Sequence, residues 1–108
     1  MKILFYKEYT VNFLSVLSKK EQAKINRAIA LLGEYDFSLT RKYAKHIKGK
    51  LWELRVGLGN SKFRIFYFIY NDKYIVLLNG FTKKTMKTPL KEITKAVKLM
   101  NEALKELE

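Results

Sequence analysis

Three stretches decide the fold: Leu51-Trp52-Glu53-Leu54-Arg55-Val56, Lys62-Phe63-Arg64-Ile65-Phe66-Tyr67-Phe68-Ile69-Tyr70 and Tyr74-Ile75-Val76-Leu77-Leu78-Asn79-Gly80-Phe81. In the first, Trp52, Leu54 and Val56 alternate with Leu51, Glu53 and Arg55, which is the two-residue period of a strand. The second is dense in Phe, Ile and Tyr, residues that suit a pleated, half-buried surface. The third is almost continuously apolar, as expected of a central strand covered on both faces. Gly57-Leu58-Gly59-Asn60 separates the first two and reads as a four-residue loop. Asn71-Asp72 separates the second and third and reads as a two-residue hairpin turn, because both side chains tolerate positive φ. These signals predict an antiparallel-rich sheet.

Working outward, Lys2–Tyr6 is short, apolar and aromatic and reads as a first strand. Tyr9–Leu17 reads as a short helix. Ser18-Lys19-Lys20-Glu21 is a capping-box signature, in which serine and glutamate each satisfy a free amide at a helix start. Behind it Ile25, Ala28, Ile29 and Leu32 form one apolar stripe, and the helix is expected to end near Tyr35. Two such helices joined at Ser18 make an αα-hairpin. Residues 36–50 are polar and basic and read as irregular. Thr88-Pro89 announces a last helix, with threonine as N-cap and proline in the first turn. Leu90, Ile93, Val97, Met100, Leu104 and Leu107 form its seam, expected to pack on the sheet. The order is β-α-α-β-β-β-α, an α+β fold in a single domain spanning residues 1–108, with no repeat, linker or low-complexity segment.

The chain has 108 residues, no cysteine and a formal net charge of +12 from 22 basic and 10 acidic residues. Its 48% hydrophobic content excludes a disordered basic tail. No apolar run approaches the ~18–20 residues that cross a bilayer. The opening Met-Lys-Ile-Leu-Phe-Tyr lacks the features of a signal peptide, so no membrane association and a cytoplasmic location are expected. The absence of cysteine excludes disulfides and thiolate metal sites. The charge is segregated: residues 41–91 hold thirteen bases against Glu53 and Asp72, a net of +11. Solubility alone does not require such segregation, and it points to a polyphosphate partner.

Metal-assisted hydrolysis needs clustered carboxylates or histidines, and the basic segment offers two acids and His46. No metal or cofactor is therefore expected. No nucleophile-elbow motif is present, and Gly57 and Gly59 do not precede a helix as a dinucleotide loop would. Cation-rich chemistry on phosphate remains. RNA carries its own nucleophile, the 2′-hydroxyl, and an enzyme that aligns it needs cations to stabilise the crowded transition state and a group to move protons. The turns as read place Arg64 opposite Asn79, Arg55 opposite Lys62 and Glu53 opposite Arg64. Arg55, Lys62, Arg64 and the loop from Lys83 to Lys87 then gather on one rim. Three proton carriers are open: His46, whose pKa is ordinarily near neutrality; a lysine whose pKa is lowered by neighbouring cations; and Glu53, which alternatively ion-pairs with Arg55 or Arg64.

His46-Ile47-Lys48-Gly49, Leu51 to Val56 ("LWELRV") and Phe63-Arg64-Ile65-Phe66-Tyr67 together resemble the shared core of the RelE/ParE toxin superfamily. Val76 through Thr85, then Lys87-Thr88-Pro89 with Glu92-Ile93 and Ala96, is similar to the phage-derived HigB-like branch. The resemblance covers most of the chain in the same element order. It implies a toxin of a type II toxin–antitoxin pair, a ribosome-dependent, metal-independent endoribonuclease that cuts mRNA in the ribosomal A site. It also implies a HigA-like antitoxin partner with a helix-turn-helix domain, with DNA engaged only through that antitoxin. By the same resemblance Arg55, Arg64, Lys83 and Lys84 are the transition-state cations; His46 joins them as a candidate acid–base only on its ordinarily near-neutral pKa. Lys48, Lys50, Lys62 and Lys87 are accessory RNA or ribosome contacts.

The chain departs from the family pattern in one place. Thr85, Met86, Lys87 and Thr88 stand where many RelE-type toxins carry a tyrosine or histidine, and Met86 stands where glutamine is common in this branch. The alternative functions on the same fold are a ParE-like inhibitor of DNA gyrase and a non-catalytic RNA-binding protein. The gyrase-inhibiting branch generally lacks the basic loop after the last strand, so Lys83-Lys84 with Lys87 favours the nuclease.

Overall fold

A computed structural model describes residues 1–35 and 43–108. The elements are β1 (Lys2–Phe5), α1 (Tyr9–Ser15), α2 (Lys19–Glu34), β2 (Ala44–Lys48), β3 (Leu51–Leu58), β4 (Ser61–Tyr70), β5 (Tyr74–Thr82) and α3 (Leu90–Leu107). The five strands form one sheet in the order β1-β5-β4-β3-β2. β1 runs parallel to β5, and the other pairs are antiparallel. The helices cover the two faces separately. Leu14, Ile25, Ile29 and Leu32 pack on one face against Leu54, Val56, Phe63 and Ile65. Ala96, Leu99, Met100 and Ala103 of α3 pack on the other, against Leu51, Phe66, Phe68, Val76 and Leu78. Among the described residues no helix is long and apolar enough to cross a membrane.

Of the three helix starts, that of α2 carries a side-chain cap, and those of α1 and α3 do not. The capping box forms as expected: the Ser18 hydroxyl accepts from the Glu21 amide, and the Glu21 carboxylate accepts from the Ser18 amide. Thr88 does not cap α3. Pro89 occupies the cap position without a side-chain hydrogen bond, and the Thr88 hydroxyl is engaged elsewhere. The buried stripe of α3 is also rotated from the expected seam. Ala96 and Ala103 face the sheet, where a small side chain lets the helix approach closely, while Leu90 is 75% exposed.

Three features of the sheet differ from the sequence reading. First, β2 is a fifth strand within the stretch expected to be irregular. It pairs Ala44 with Leu54, Lys45 with Glu53 and His46 with Trp52. It is an edge strand whose only buried residue is Ala44, so it lacks the apolar alternation that marks a strand, and its lysines protect the open edge. The remainder of the expected irregular stretch, residues 36–42 with Arg41 and Lys42, lies outside the described residues.

Second, β3 and β4 are joined by a two-residue turn, Gly59-Asn60, rather than by four residues. Leu58 pairs with Ser61, so Arg55 lies opposite Arg64, and Glu53 opposite Phe66. The shift is two residues, an even number, so the same side chains stay on the same face. Third, Arg64 lies opposite Phe81, not Asn79. One residue of that shift comes from the turn, where Tyr70 pairs with Tyr74 and Asn71 and Asp72 both adopt positive φ. The other comes from a bulge, where Leu78 and Asn79 lie opposite Phe66 alone. Gly80 follows the bulge. A Cβ there would stand 2.5 Å from Phe13 Cδ2 and 3.2 Å from the Arg64 carbonyl, so only glycine lets α1 close on the sheet directly behind Arg64.

Candidate functional site

Glu53 and Arg55 on β3 and Lys62 and Arg64 on β4 share the face that α3 covers. They lie toward the end of the sheet where β3 turns into β4. Lys83 joins them there, because its amide donates to the Lys62 carbonyl at 2.7 Å just past the end of β5. Alternation along β4 creates the contrast. Phe63 and Ile65 enter the core beneath α1 and α2, while Arg64 between them faces the opposite way.

Arg64 is the floor of the site, 5% exposed, and Glu53 beside it is 1% exposed. Arg64 Nη1 donates to the Phe63 carbonyl at 2.9 Å, and its Nε lies 3.6 Å from Glu53 Oε1. The Thr88 hydroxyl donates to Glu53 Oε2 at 2.8 Å. Both carboxylate oxygens are thus engaged, and the loop that ends at Thr88 is tied to the floor. A buried cation beside a buried anion avoids the large cost of an isolated charge in a low dielectric. Burial still lowers the pKa of Arg64, opposed by Glu53 and reinforced by Arg55. Lys83 is pulled below the ordinary lysine value by desolvation and by the positive charges of Arg64, Arg55 and Lys62, against the opposing pull of Glu53. Four cations therefore feel one another around a single carboxylate.

The structure brings together Arg55, Lys62, Arg64 and Lys83 of the sequence-predicted residues. Lys84 and Lys87 are exposed on the adjoining loop, where the Thr85 hydroxyl donates to the Lys87 carbonyl at 2.6 Å and Met86 projects outward, 92% exposed. His46 is not part of the cluster. Its pairing with Trp52 puts it on the face of α1 and α2, with the two rings 5.0 Å apart, and its Nε2 donates to the Gly49 carbonyl at 2.6 Å. Lys48 and Lys50 stand at the β2–β3 turn, at the far end of β3 from Gly57. At ~3.3 Å per strand residue, Lys50 is about 17 Å along the chain from Arg55.

Two neighbours escaped the sequence reading. Thr88 reads as a helix cap, and no local signal tells a cap from a tie to a residue 35 positions away. Lys45 lies across from Glu53 on the same face, a placement visible only once β2 is recognised as a strand. Among the described residues no three His, Cys, Asp or Glu side chains gather in a way that would hold a metal ion.

A mixed five-stranded sheet between an αα-hairpin and a C-terminal helix is the RelE fold. The crystal structure of the archaeal RelE–RelB complex from Pyrococcus horikoshii OT3 matches with a TM-score of 0.53 and 23% identity, covering 81% of this chain and 97% of that one. The family described as "Phage derived protein Gp49-like (DUF891)" matches residues 12–101. The chain belongs to that family, whose members are RelE/HigB-type toxins of toxin–antitoxin systems. The matched span includes every site residue named above. No curated protein matches the chain.

Proposed function

We propose that the protein is a cytoplasmic toxin that cuts mRNA on the ribosome, without a metal ion, by in-line attack of a 2′-hydroxyl on the adjacent phosphate. The observation that carries this reading is the convergence of Arg55, Lys62, Arg64 and Lys83 around the buried Glu53. Arg55 and Lys62 are exposed, so they meet the scissile phosphate directly, and arginine matches two phosphate oxygens at once. Arg64 acts from beneath, as a fixed charge in a poorly screened place. Lys83 takes the proton from O2′, because its lowered pKa leaves more of it neutral near working pH. O2′ then bonds to phosphorus, the bond from phosphorus to O5′ breaks, and O5′ takes a proton from an ammonium group of the rim. The products are a 2′,3′-cyclic phosphate and a 5′-hydroxyl.

The partner expected from the family is an antitoxin with a helix-turn-helix domain. The archaeal RelE of similar fold is a complex with RelB. The test is induced expression followed by mapping of mRNA 5′ ends. In-frame cuts in translated messages, carrying 5′-hydroxyls and lost in Arg64→Ala, are the expected result. Intact messages with DNA damage would replace the nuclease by a gyrase inhibitor.

A further inference from the structure

Helix α3 carries opposite charges at its two ends. Lys91, Lys95 and Lys98 stand in its first half against Glu92, and Glu102, Glu106 and Glu108 stand at its end against Lys105. This runs against the helix dipole, which favours acids near the N-terminus and bases near the C-terminus. Glu92 in the first turn and Lys105 in the last stand as the dipole favours, and Glu106 accepts from the Tyr6 hydroxyl at 3.2 Å, which leaves the three lysines as charges that neither the dipole nor a hydrogen bond accounts for. At 100° per residue the three lysines fall within about 60° of arc and span ~10 Å of axis. All three are exposed, and none is ion-paired among the described residues. Lys95 Nζ is held 5.3 Å from the centroid of the Tyr9 ring, which fixes the middle of the row.

The row continues the site. α3 begins two residues after Thr88, whose hydroxyl is bonded to Glu53. Exposed Lys84 and Lys87 lie in the interval, so lysines recur along the chain from the site through the loop tied to it by Thr88 and into the helix. From Lys83 to Lys98 there are six lysines and one acid. An apolar partner is not what this surface fits, since the row has no apolar side chain between its lysines on the same arc.

We infer that Lys91, Lys95 and Lys98 form a track for the phosphate backbone of single-stranded RNA leading away from the cut. This rests on the proposed nuclease reading for its orientation, but it is tested by binding alone. The probes are labelled single-stranded RNAs of 15 and 4 nucleotides, titrated onto the purified full chain over a range of salt. The Lys91→Gln, Lys95→Gln, Lys98→Gln triple variant is compared with a Lys19→Gln, Lys20→Gln, Lys24→Gln variant, which removes the same charge from α2. The first triple is expected to weaken 15-mer binding by about tenfold or more and to flatten the salt slope by about 2, at ~0.7 per lost phosphate contact. Binding of the 4-mer, and 15-mer binding by the α2 variant, should stay near wild type. An unchanged 15-mer slope overturns the track. So does equal weakening by both triples, which would reduce the effect to net charge, or equal weakening of both RNAs. If the flattening appears but the wild-type protein cuts no message on ribosomes, the track stands and the nuclease reading falls. The reverse result removes the track alone.

Discussion

The two faces of the sheet are built from alternate residues of the same strands, yet they do different things. Beneath α1 and α2 the face is apolar throughout its core, with Phe63, Ile65 and Tyr67 contributed by β4. Even its Tyr67 hydroxyl, without a hydrogen-bond partner among the described residues, is pushed well above the ordinary tyrosine pKa by burial. Beneath α3 the face is apolar only where the helix covers it. Toward the β3–β4 turn it changes to Glu53, Arg55, Lys62 and Arg64. Both faces thus carry a buried core, but the chemistry lies at one end of the face that α3 covers. Neighbouring residues should therefore fail in different ways.

The widest separation is expected between Phe63 and Arg64. Phe63→Ala removes a fully buried ring from the first core and should cost about 3–5 kcal/mol of stability, read as a fall in thermal midpoint. Arg64→Ala should lower cleavage on ribosomes by about 10²–10³-fold, the scale of losing one preorganised transition-state charge. It also strands Glu53, so Arg64→Lys, which keeps the charge but loses the fixed geometry, is the informative companion. If Arg64→Lys melts like wild type and still cuts at the wild-type rate, the division between the faces fails.

The next contrast lies within the cationic end. Lys83→Arg keeps the positive charge but cannot give up a proton in the working range. RNA binding should remain while the rate falls at least about tenfold. In the wild-type protein the rate should rise with pH and level off below the ordinary lysine pKa, since the neutral amine is the active form. The sign for stability is the same. The folded chain holds this proton less tightly than the unfolded one, so Lys83 opposes folding when protonated and stability rises with pH through the interval between the two values. A pH–rate profile unchanged in Lys83→Arg would remove lysine as the proton carrier.

A smaller effect tests whether the loop is fixed by the floor. Thr88→Val is nearly isosteric and deletes the hydroxyl that donates to Glu53. Loss of one hydrogen bond to a charged group should cost about 1.5–3 kcal/mol where it is buried. The loop from Lys83 to Lys87 would then be less firmly placed, and kcat should fall more than KM rises. Thr88→Ser should restore it. If Val and Ser behave alike, the tie does not position the loop.

These contrasts also mark what could be read from the chain alone. The strands of the core announce themselves because burial imposes a two-residue period. The face shared by Arg55, Lys62 and Arg64 was legible even through misread turns, because each register error summed to two residues. In one case the sum was a three-residue turn plus a bulge at Leu78 and Asn79, and no local signal gives either. β2 was not legible, because an edge strand of lysines with one buried alanine has no apolar alternation. Thr88 was legible only as a cap, since its real partner is distant in sequence.

The smallest effect is expected at His46, which sequence logic nominates for proton transfer by its pKa alone. The sheet places it on the other face from Arg64, against Trp52 and bonded to the Gly49 carbonyl. Gly49 itself has a φ of 56°, so the histidine secures a tight turn at the end of β2. His46→Gln retains a donor of similar reach and should change stability by no more than about 1 kcal/mol, the net worth of one hydrogen bond. Its cleavage rate should stay within about twofold of wild type, because a group on the opposite face cannot reach a phosphate held by Arg55 and Lys62 and therefore fails the geometric requirement for proton transfer. A tenfold loss of rate in a variant of unchanged thermal midpoint would mean that RNA contacts both faces, and the separation drawn above would not survive it.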